Sequence, residues 1–416
     1  MAPSPDRVAR IMLSWHSLEL VSCTNLQTLW AGYGHICALS ARATTPEAAA
    51  HLSQLCGVEP RGRGTTYPLI LKLISPPGRK ASTEDEGHLR KMLSYEVEQW
   101  FYTEIVPQLG DEIGVAKCLA STRDMHGKVG EEELRGLTAT IMVDLRPRYP
   151  VAGGKRSSLD SRQVHAALDW LAAFHSRSWA LLTDSRDACV LPPLEEARKR
   201  RPDGIKSDVR GLWLNGGYTY LATRRKEYAA LVDDVDSEWS EALCSTNEGF
   251  AASVAEMVAT VLTPAGRSME SYIHGDVKSE NLFTTAAGEE VAFFDFQYVG
   301  LGLGVCDLAK LFTCSVPLGM LVDDEEDLPE QLPMRVGEKQ LLEAYRRRLL
   351  RGQPSELYDW DTFRRHWESA LVDWCRFQAS WGFWGNTEWL EARVRYILND
   401  QEWRDWLHEE IRSRGS

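Results

Sequence analysis

The sequence predicts a two-lobed α+β protein: a small first lobe with an antiparallel sheet and one main helix, then a larger, mostly helical second lobe. Three features carry this expectation. Apolar strand-like runs occupy the first third, helical periodicity fills the remainder, and one strand-turn-strand segment at 272–300 interrupts the helices. At 416 residues the chain is long enough for two such lobes.

In WAGYGHICALSA (30–41) glycine and small residues make a turn and an apolar strand follows; YPLILKLI (67–74) is a second strand. The Ala-, Thr-, Gly- and Arg-rich stretch between them, 42–66, reads as a long surface connection. Thr83 stands three residues before Glu86 in a capping-box pattern. Apolar residues at 89, 92, 93, 97 and 100 then keep helical spacing until Pro107, which is expected to close the helix. TATIMVDL (138–145) is another strand, and the Pro/Gly-rich RPRYPVAGGK after it divides a lobe of residues 1–145 from one of 146–416. Beyond it, Asp160 and Gln163 resemble a cap, and Val164, Ala167, Leu168, Leu171, Ala172 and His175 share one helical face. On that apolar face His175 reads as a packed, hydrogen-bonded core histidine.

Forty-seven Lys and Arg against 60 Asp and Glu leave a formal charge of −13, with 44% hydrophobic residues. This content, with 15 Trp, 13 Tyr and 11 Phe, buries a substantial core and excludes global disorder. Nucleic-acid binding needs a basic face, so no nucleic-acid partner is expected. The nine cysteines are scattered without a CxxC pair, which fits reduced thiols better than a disulfide framework or a zinc site. No apolar run approaches the ~18 residues of a membrane span. The apolar stretch near the N-terminus is interrupted by His16 and Glu19, so no signal peptide is expected, and the expected location is the cytoplasm.

The chemistry lies in YIHGDVKSENLFTTAAGEEVAFFDFQYVG (272–300). LFTT and VAFF flank the turn-compatible AAGEE, so the segment reads as a β-hairpin. Folding Thr285 back near Glu290 sets Asn281 opposite Phe294 and Asp295, with Asp276 on the loop leading in. Carboxamide and carboxylate oxygens suit Mg²⁺ shared with substrate phosphates. A further aspartate free of metal accepts a hydroxyl proton during in-line attack on phosphorus. Turn residues alone would explain HGD, but not three oxygen-bearing side chains at hairpin-compatible spacing.

HGDVKSEN followed by DFQ resembles the HGDxxxxN and DFQ/DFE motifs of the aminoglycoside phosphotransferase and choline kinase group, whose fold is protein-kinase-like. YVGLGLGVCDLAKLF is similar to the helix that follows DFQ in that group. The resemblance implies a small-molecule kinase using ATP and Mg²⁺, with Asp276 as catalytic base and Asn281 and Asp295 as metal ligands. Lys278 resembles the DxKxxN lysine of protein kinases, which sits near the transferred phosphoryl and which many small-molecule kinases lack, and His274 and Asp307 are mainly structural supports. Residues 1–145 would then bind nucleotide, and 146–416 would carry catalysis and the acceptor.

Such a kinase also needs a phosphate-covering loop, a phosphate-binding lysine and a carboxylate to hold that lysine. Lys72 shares a strand face with Ile70 and Ile74, where an unpaired ammonium is costly; the alternative is an anti-aggregation lysine on an edge strand. Helical phase leaves Glu96, Glu98 and Glu104 open as its partner. Tyr95, Glu98, Tyr102 and Pro107 resemble the FxxExxxY…P pattern of ecdysteroid-kinase-like phosphotransferases, which gives the role to Glu98 with Glu96 as fallback. Gly32 and Gly34 stand where backbone amides approach phosphates. IMVDL (141–145) resembles the strand leading to the hinge, with Val143 where glutamate is usual. LDWLAAFHSRSW (168–179), GLWLNGGYTYLATR (211–224) and ALVDWCRFQASWGFWGN (370–386) extend the resemblance over most of the chain.

The expected reaction moves the γ-phosphoryl of ATP to a small-molecule hydroxyl. Trp374, Trp381 and Trp384 near Asp373 and Arg376 permit an ammonium-bearing acceptor, although tryptophans also serve as packing bulk, and a sterol-like alcohol fits equally. The rival reading is a catalytically silent kinase-fold scaffold, against which the intact Lys, Asp, Asn and Asp set counts. A protein kinase is disfavoured by Gly275 and Gln297 at positions usually held by Arg and Gly, and a metal hydrolase lacks further histidines at ligand spacing.

Overall fold

The computed structural model describes residues 3–29, 32–59, 62–76, 85–182, 188–200, 211–246, 251–322 and 328–415. Helix α1 (Pro5–Ser14) precedes an antiparallel sheet of β1 (Leu18–Thr28), β2 (Gly34–Ala43), β3 (Thr66–Ile74), β4 (Cys118–Ser121) and β5 (Thr138–Val143), ordered β1-β2-β3-β5-β4. Strand β3 is central, so Lys72 does not lie on an edge and the anti-aggregation alternative falls. Alternation along β3 sorts its side chains. Leu69, Leu71 and Leu73 enter a core shared with α1 and α2 (Pro46–Cys56); Ile74 and Lys72 turn toward α3 (Glu86–Trp100).

Helix α2 corrects the expected connection at 42–66. Thr45 accepts from the Ala48 N–H, Pro46 occupies the first turn, and Gly57 ends the helix in the left-handed region. Asp85 caps α3 by accepting from the His88 N–H; Thr83, the expected cap, lies outside the described residues. Nor does Pro107 close the helix. α3 runs through a π-turn (Phe101–Ile105) into α4 (Val106–Leu109). Proline lacks an N–H and crowds the preceding turn, and the wider π-turn just before it accommodates that defect.

After α5 (Glu131–Leu134) and β5, strand β6 (Val151–Ala152) leads to α6 (Ser161–Ser178), which opens with the expected Asp160–Gln163 capping box. Its predicted apolar face is fully buried. The remaining elements are α7 (Pro193–Arg200), β7 (Trp213–Leu214), α8 (Arg225–Asp233), α9 (Glu238–Cys244), α10 (Val254–Leu262), β8 (Glu270–Ile273), β9 (Leu282–Thr284), β10 (Val291–Phe293), β11 (Gly300–Leu303), α11 (Val305–Cys314), α12 (Val336–Leu349), α13 (Trp360–Trp381), α14 (Thr387–Asn399) and α15 (Gln401–Gly415). One large core joins the helices around buried Trp213, Trp367, Trp389 and Trp403. No helix among the described residues is long and apolar enough to cross a membrane.

Two small sheets, β10-β9-β6 and β7-β11-β8, position the motif segment. Ile273 at the end of β8 is the register partner of Gly300 at the start of β11, so residues 274–299 form one excursion tied at its base. Within it β9 and β10 pair as the expected hairpin, and Phe294 N–H donates to the Asn281 carbonyl at 3.0 Å.

Candidate functional site

The excursion begins with a tight bend at Gly275. Its φ is +83°, and a Cβ there would meet the Tyr298 carbonyl oxygen at 2.2 Å, so only glycine fits. Asp307 of α11 fixes the bend, accepting from the His274 and Gly275 N–H groups at 2.6 and 2.9 Å. Its remaining contact is His175 Nε2 at 3.2 Å, while the Tyr345 hydroxyl meets His175 Nδ1 at 2.6 Å. Burial works to raise the Asp307 carboxyl, but the His175 hydrogen bond and charge outweigh it and hold it low. His274 is fully buried, which lowers its pKa and keeps the ring neutral; Nε2 donates to the Phe294 carbonyl and Nδ1 accepts from the Asp276 N–H.

Asp276 follows directly. Its carboxylate receives the Asn281 carboxamide N–H at 3.0 Å and the Lys278 ammonium at 3.1 Å, and Asn281 also donates to the Asp276 carbonyl at 2.8 Å. Lys278 bridges to Glu280 at 3.1 Å. Burial opposes its charge, yet Asp276 and then the Tyr218 and Glu280 contributions raise its pKa, so it remains an ammonium.

The far end of the excursion is Asp295, whose backbone is left-handed at φ 65° and ψ 57°, a strained conformation that aspartate tolerates better than most residues. Lys72 lies between two carboxylates, 2.6 Å from Glu98 and 2.9 Å from Asp295. This contact joins β3, α3 and the excursion. Burial penalises the Lys72 ammonium, but Asp295 and Glu98 raise its pKa and keep it charged. Burial pushes the Glu98 carboxyl up to about 7, against the pull of Lys72. Asp295 is held low, because Lys72 and a short hydrogen bond from Gln297 outweigh its burial. Gln297 Oε1 in turn accepts from Ser94 of α3 at 3.4 Å.

Of the three candidate glutamates, Glu98 meets Lys72, whereas Glu96 meets Arg200 of α7 at 3.2 Å. Gly32 lies between β1 and β2, and Gly34 opens β2 opposite Ile74 of β3, where a Cβ would meet the Leu73 carbonyl oxygen at 2.0 Å. Tyr33 between them packs at 6.4 Å on Tyr95, whose ring lies 5.8 Å from the Lys72 ammonium. Trp374 and Trp384 pack edge to face, but Asp373 is neutralised by Arg376 at 2.8 Å and Trp381 is 51% exposed. Tyr218, Tyr298, Arg224 and Gln297 border the site without having been expected there. Tyr218 lies in segment 211–224, but its tilted ring contact with Tyr298, 4.7 Å between centroids, joins residues far apart in sequence and leaves no periodic trace.

The antiparallel sheet, the helix carrying Glu98 and the helical second part make the α+β architecture expected from the sequence. The ecdysteroid kinase-like family profile matches residues 58–331, and the chain belongs to that family. No curated protein compared with the chain matches it. Among solved structures it is similar to a Plasmodium vivax ethanolamine kinase at 12% identity, covering 94% of this chain and 84% of that one, with a TM-score of 0.40. A macrolide 2'-phosphotransferase from Brachybacterium faecium is also 12% identical, covering 92% and 99%, with a TM-score of 0.40. A choline kinase from Cryptosporidium parvum is 11% identical, covering 96% and 91%, with a TM-score of 0.36.

Proposed function

We propose that the chain is an ATP-dependent phosphotransferase acting on a hydroxyl of a small molecule. Residues 1–145 would grip the nucleotide, and 146–416 would carry catalysis and the acceptor. The observation that supports this most is the Lys72 ammonium held between Glu98 and Asp295. Glu98 orients Lys72, and Lys72 meets the nucleotide phosphates, with the amides near Gly32 and Gly34 beside them. Asp276 takes the acceptor proton as the acceptor oxygen bonds to the γ-phosphorus; the bond to the bridging oxygen breaks and ADP leaves. Lys278, beside Asp276, offsets negative charge at the transferred group.

The donor set fits Mg²⁺. Asn281 spends its amide hydrogens on Asp276, which leaves its carboxamide oxygen available, and Asp295 supplies a carboxylate. Among the described residues no group of three or more His, Cys, Asp or Glu is placed to hold a metal ion. An ion on Asn281 and Asp295 would therefore complete its shell with phosphate oxygens and water. When bound it would supply charge neutralisation on the phosphates.

The test is an ADP-release screen over amino alcohols, aminoglycosides, sugars and sterol alcohols. ADP release with one class, absent in Asp295→Ala, is the expected result. If no class releases ADP and Mg·ATP fails to shift the melting temperature, the reading is wrong.

A further inference from the structure

Helix α3 carries a second buried ion cluster, which the reaction above does not use. Arg90 donates from Nη1 to the Thr223 carbonyl at 2.6 Å and from Nη2 to Glu227 at 3.4 Å. Arg224 donates to the same Glu227 oxygen at 3.0 Å and from Nε to the Tyr218 carbonyl at 2.5 Å. Side-chain exposures are 8% for Arg90, 3% for Arg224 and 15% for Glu227. Glu86, in the first turn of α3, accepts from the Lys226 N–H at 3.5 Å. On its other side the Arg224 guanidinium lies 4.8 to 5.2 Å from the rings of Tyr218, Trp381 and Phe377.

Burying such a cluster is expensive, and apolar packing would join two helices more cheaply. What a charge cluster adds is a defined position. The other end of α3 is already defined, because Gln99 donates to the Ala139 carbonyl at 3.0 Å and to Thr122 at 3.1 Å beside the sheet. Glu98 lies between the two anchors. Ser94 donating to Gln297 and Glu96 paired with Arg200 hold the middle of α3; the Arg90 cluster fixes its first turns, and together these anchors set the 2.6 Å contact of Glu98 with Lys72.

We infer that Glu227 is a positioning residue: by holding Arg90 of α3 and Arg224 of α8's entry in one ion cluster, it sets the depth at which Glu98 reaches Lys72. This rests on the proposed nucleotide role of the Lys72–Glu98 pair. On the aromatic side of Arg224, Tyr218 lies 5.9 Å from the Lys278 ammonium, so the same cluster borders the Asp276 loop.

The experiment is a double-mutant cycle on the full chain, reading Mg·ADP affinity by calorimetry and fold by circular dichroism. Glu227→Gln is isosteric and is expected to weaken Mg·ADP about tenfold. If Glu227 acts through Glu98, the double variant Glu227→Gln/Glu98→Gln binds no more weakly than Glu98→Gln alone; a merely structural role gives losses that add. Should Glu227→Gln fail to fold, Arg90→Gln enters the same cycle with the same expectation. Unchanged affinity in the folded variant, or simple additivity, overturns the inference and leaves the kinase reading standing. Absence of Mg·ADP binding by the wild-type chain overturns both.

Discussion

Asp276 is held by an amide nitrogen and an ammonium, so exchanging one of its carboxylate oxygens for nitrogen keeps its shape while removing both the base and the charge that faces Lys278. Asp276→Asn is expected to lower turnover by about 10³-fold or more, while the Mg·ATP-induced thermal shift stays close to wild type. Unchanged turnover would remove the base assignment. Glu98 gives a pH dependence. Its carboxyl rises from the usual 4.5 to about 7 in the fold, so folding favours the protonated form. That stabilising contribution is complete below about pH 4.5 and is lost as pH rises through about 7. The ion pair with Lys72 runs the other way, forming as Glu98 loses its proton. The rate is therefore expected to climb between about pH 6 and 8, with that limb missing in Glu98→Gln. An identical limb in the variant would refute the assignment.

At the scale of elements, the bend at Gly275 leaves least room. Gly275→Ala forces a Cβ toward the Tyr298 carbonyl from a positive φ, and is expected to cost about 2–4 kcal/mol in a urea titration. A loss under ~0.5 kcal/mol would mean that the excursion relaxes freely. The hairpin was legible because LFTT and VAFF flank a turn, and α6 because its cap and apolar face repeat at helical spacing. Helix α2 was not, since alanine and threonine next to glycine and arginine resemble loop composition while Thr45 and Pro46 carry the start signal. The run through Pro107 was hidden for a different reason. A π-turn changes the hydrogen-bond partner without changing residue type, so composition does not announce it. Short β4 and β7 owe their existence to neighbouring strands rather than to their own residues.

Across the whole molecule, the residues expected at one site come from four separate stretches, and Lys72 joins two of the others by its contacts with Glu98 and Asp295. Spacing could place Asp276, Asn281 and Asp295 together because one excursion carries all three. It could not choose Lys72's partner, because Glu96 and Glu98 differ by two positions on a helix whose roll is set by α7 and α8 as much as by the sheet. Arg376 pairs with Asp373 three residues away on the same helix, which occupies the carboxylate on which an ammonium-bearing acceptor, permitted by the sequence alone, would have relied.

Lys72 and Lys278 together face four carboxylates, Glu98, Asp295, Asp276 and Glu280. By formal charge these six groups make an anionic basin, and a bare polyphosphate approaching it meets repulsion before any contact is made. Divalent charge would have to arrive with the triphosphate. EDTA-treated protein is accordingly expected to show no ATP-induced rise in melting temperature at low ionic strength, and MgCl₂ in excess of the chelator should restore it. An equal rise without metal would show that the basin's charge is balanced from elsewhere in the fold.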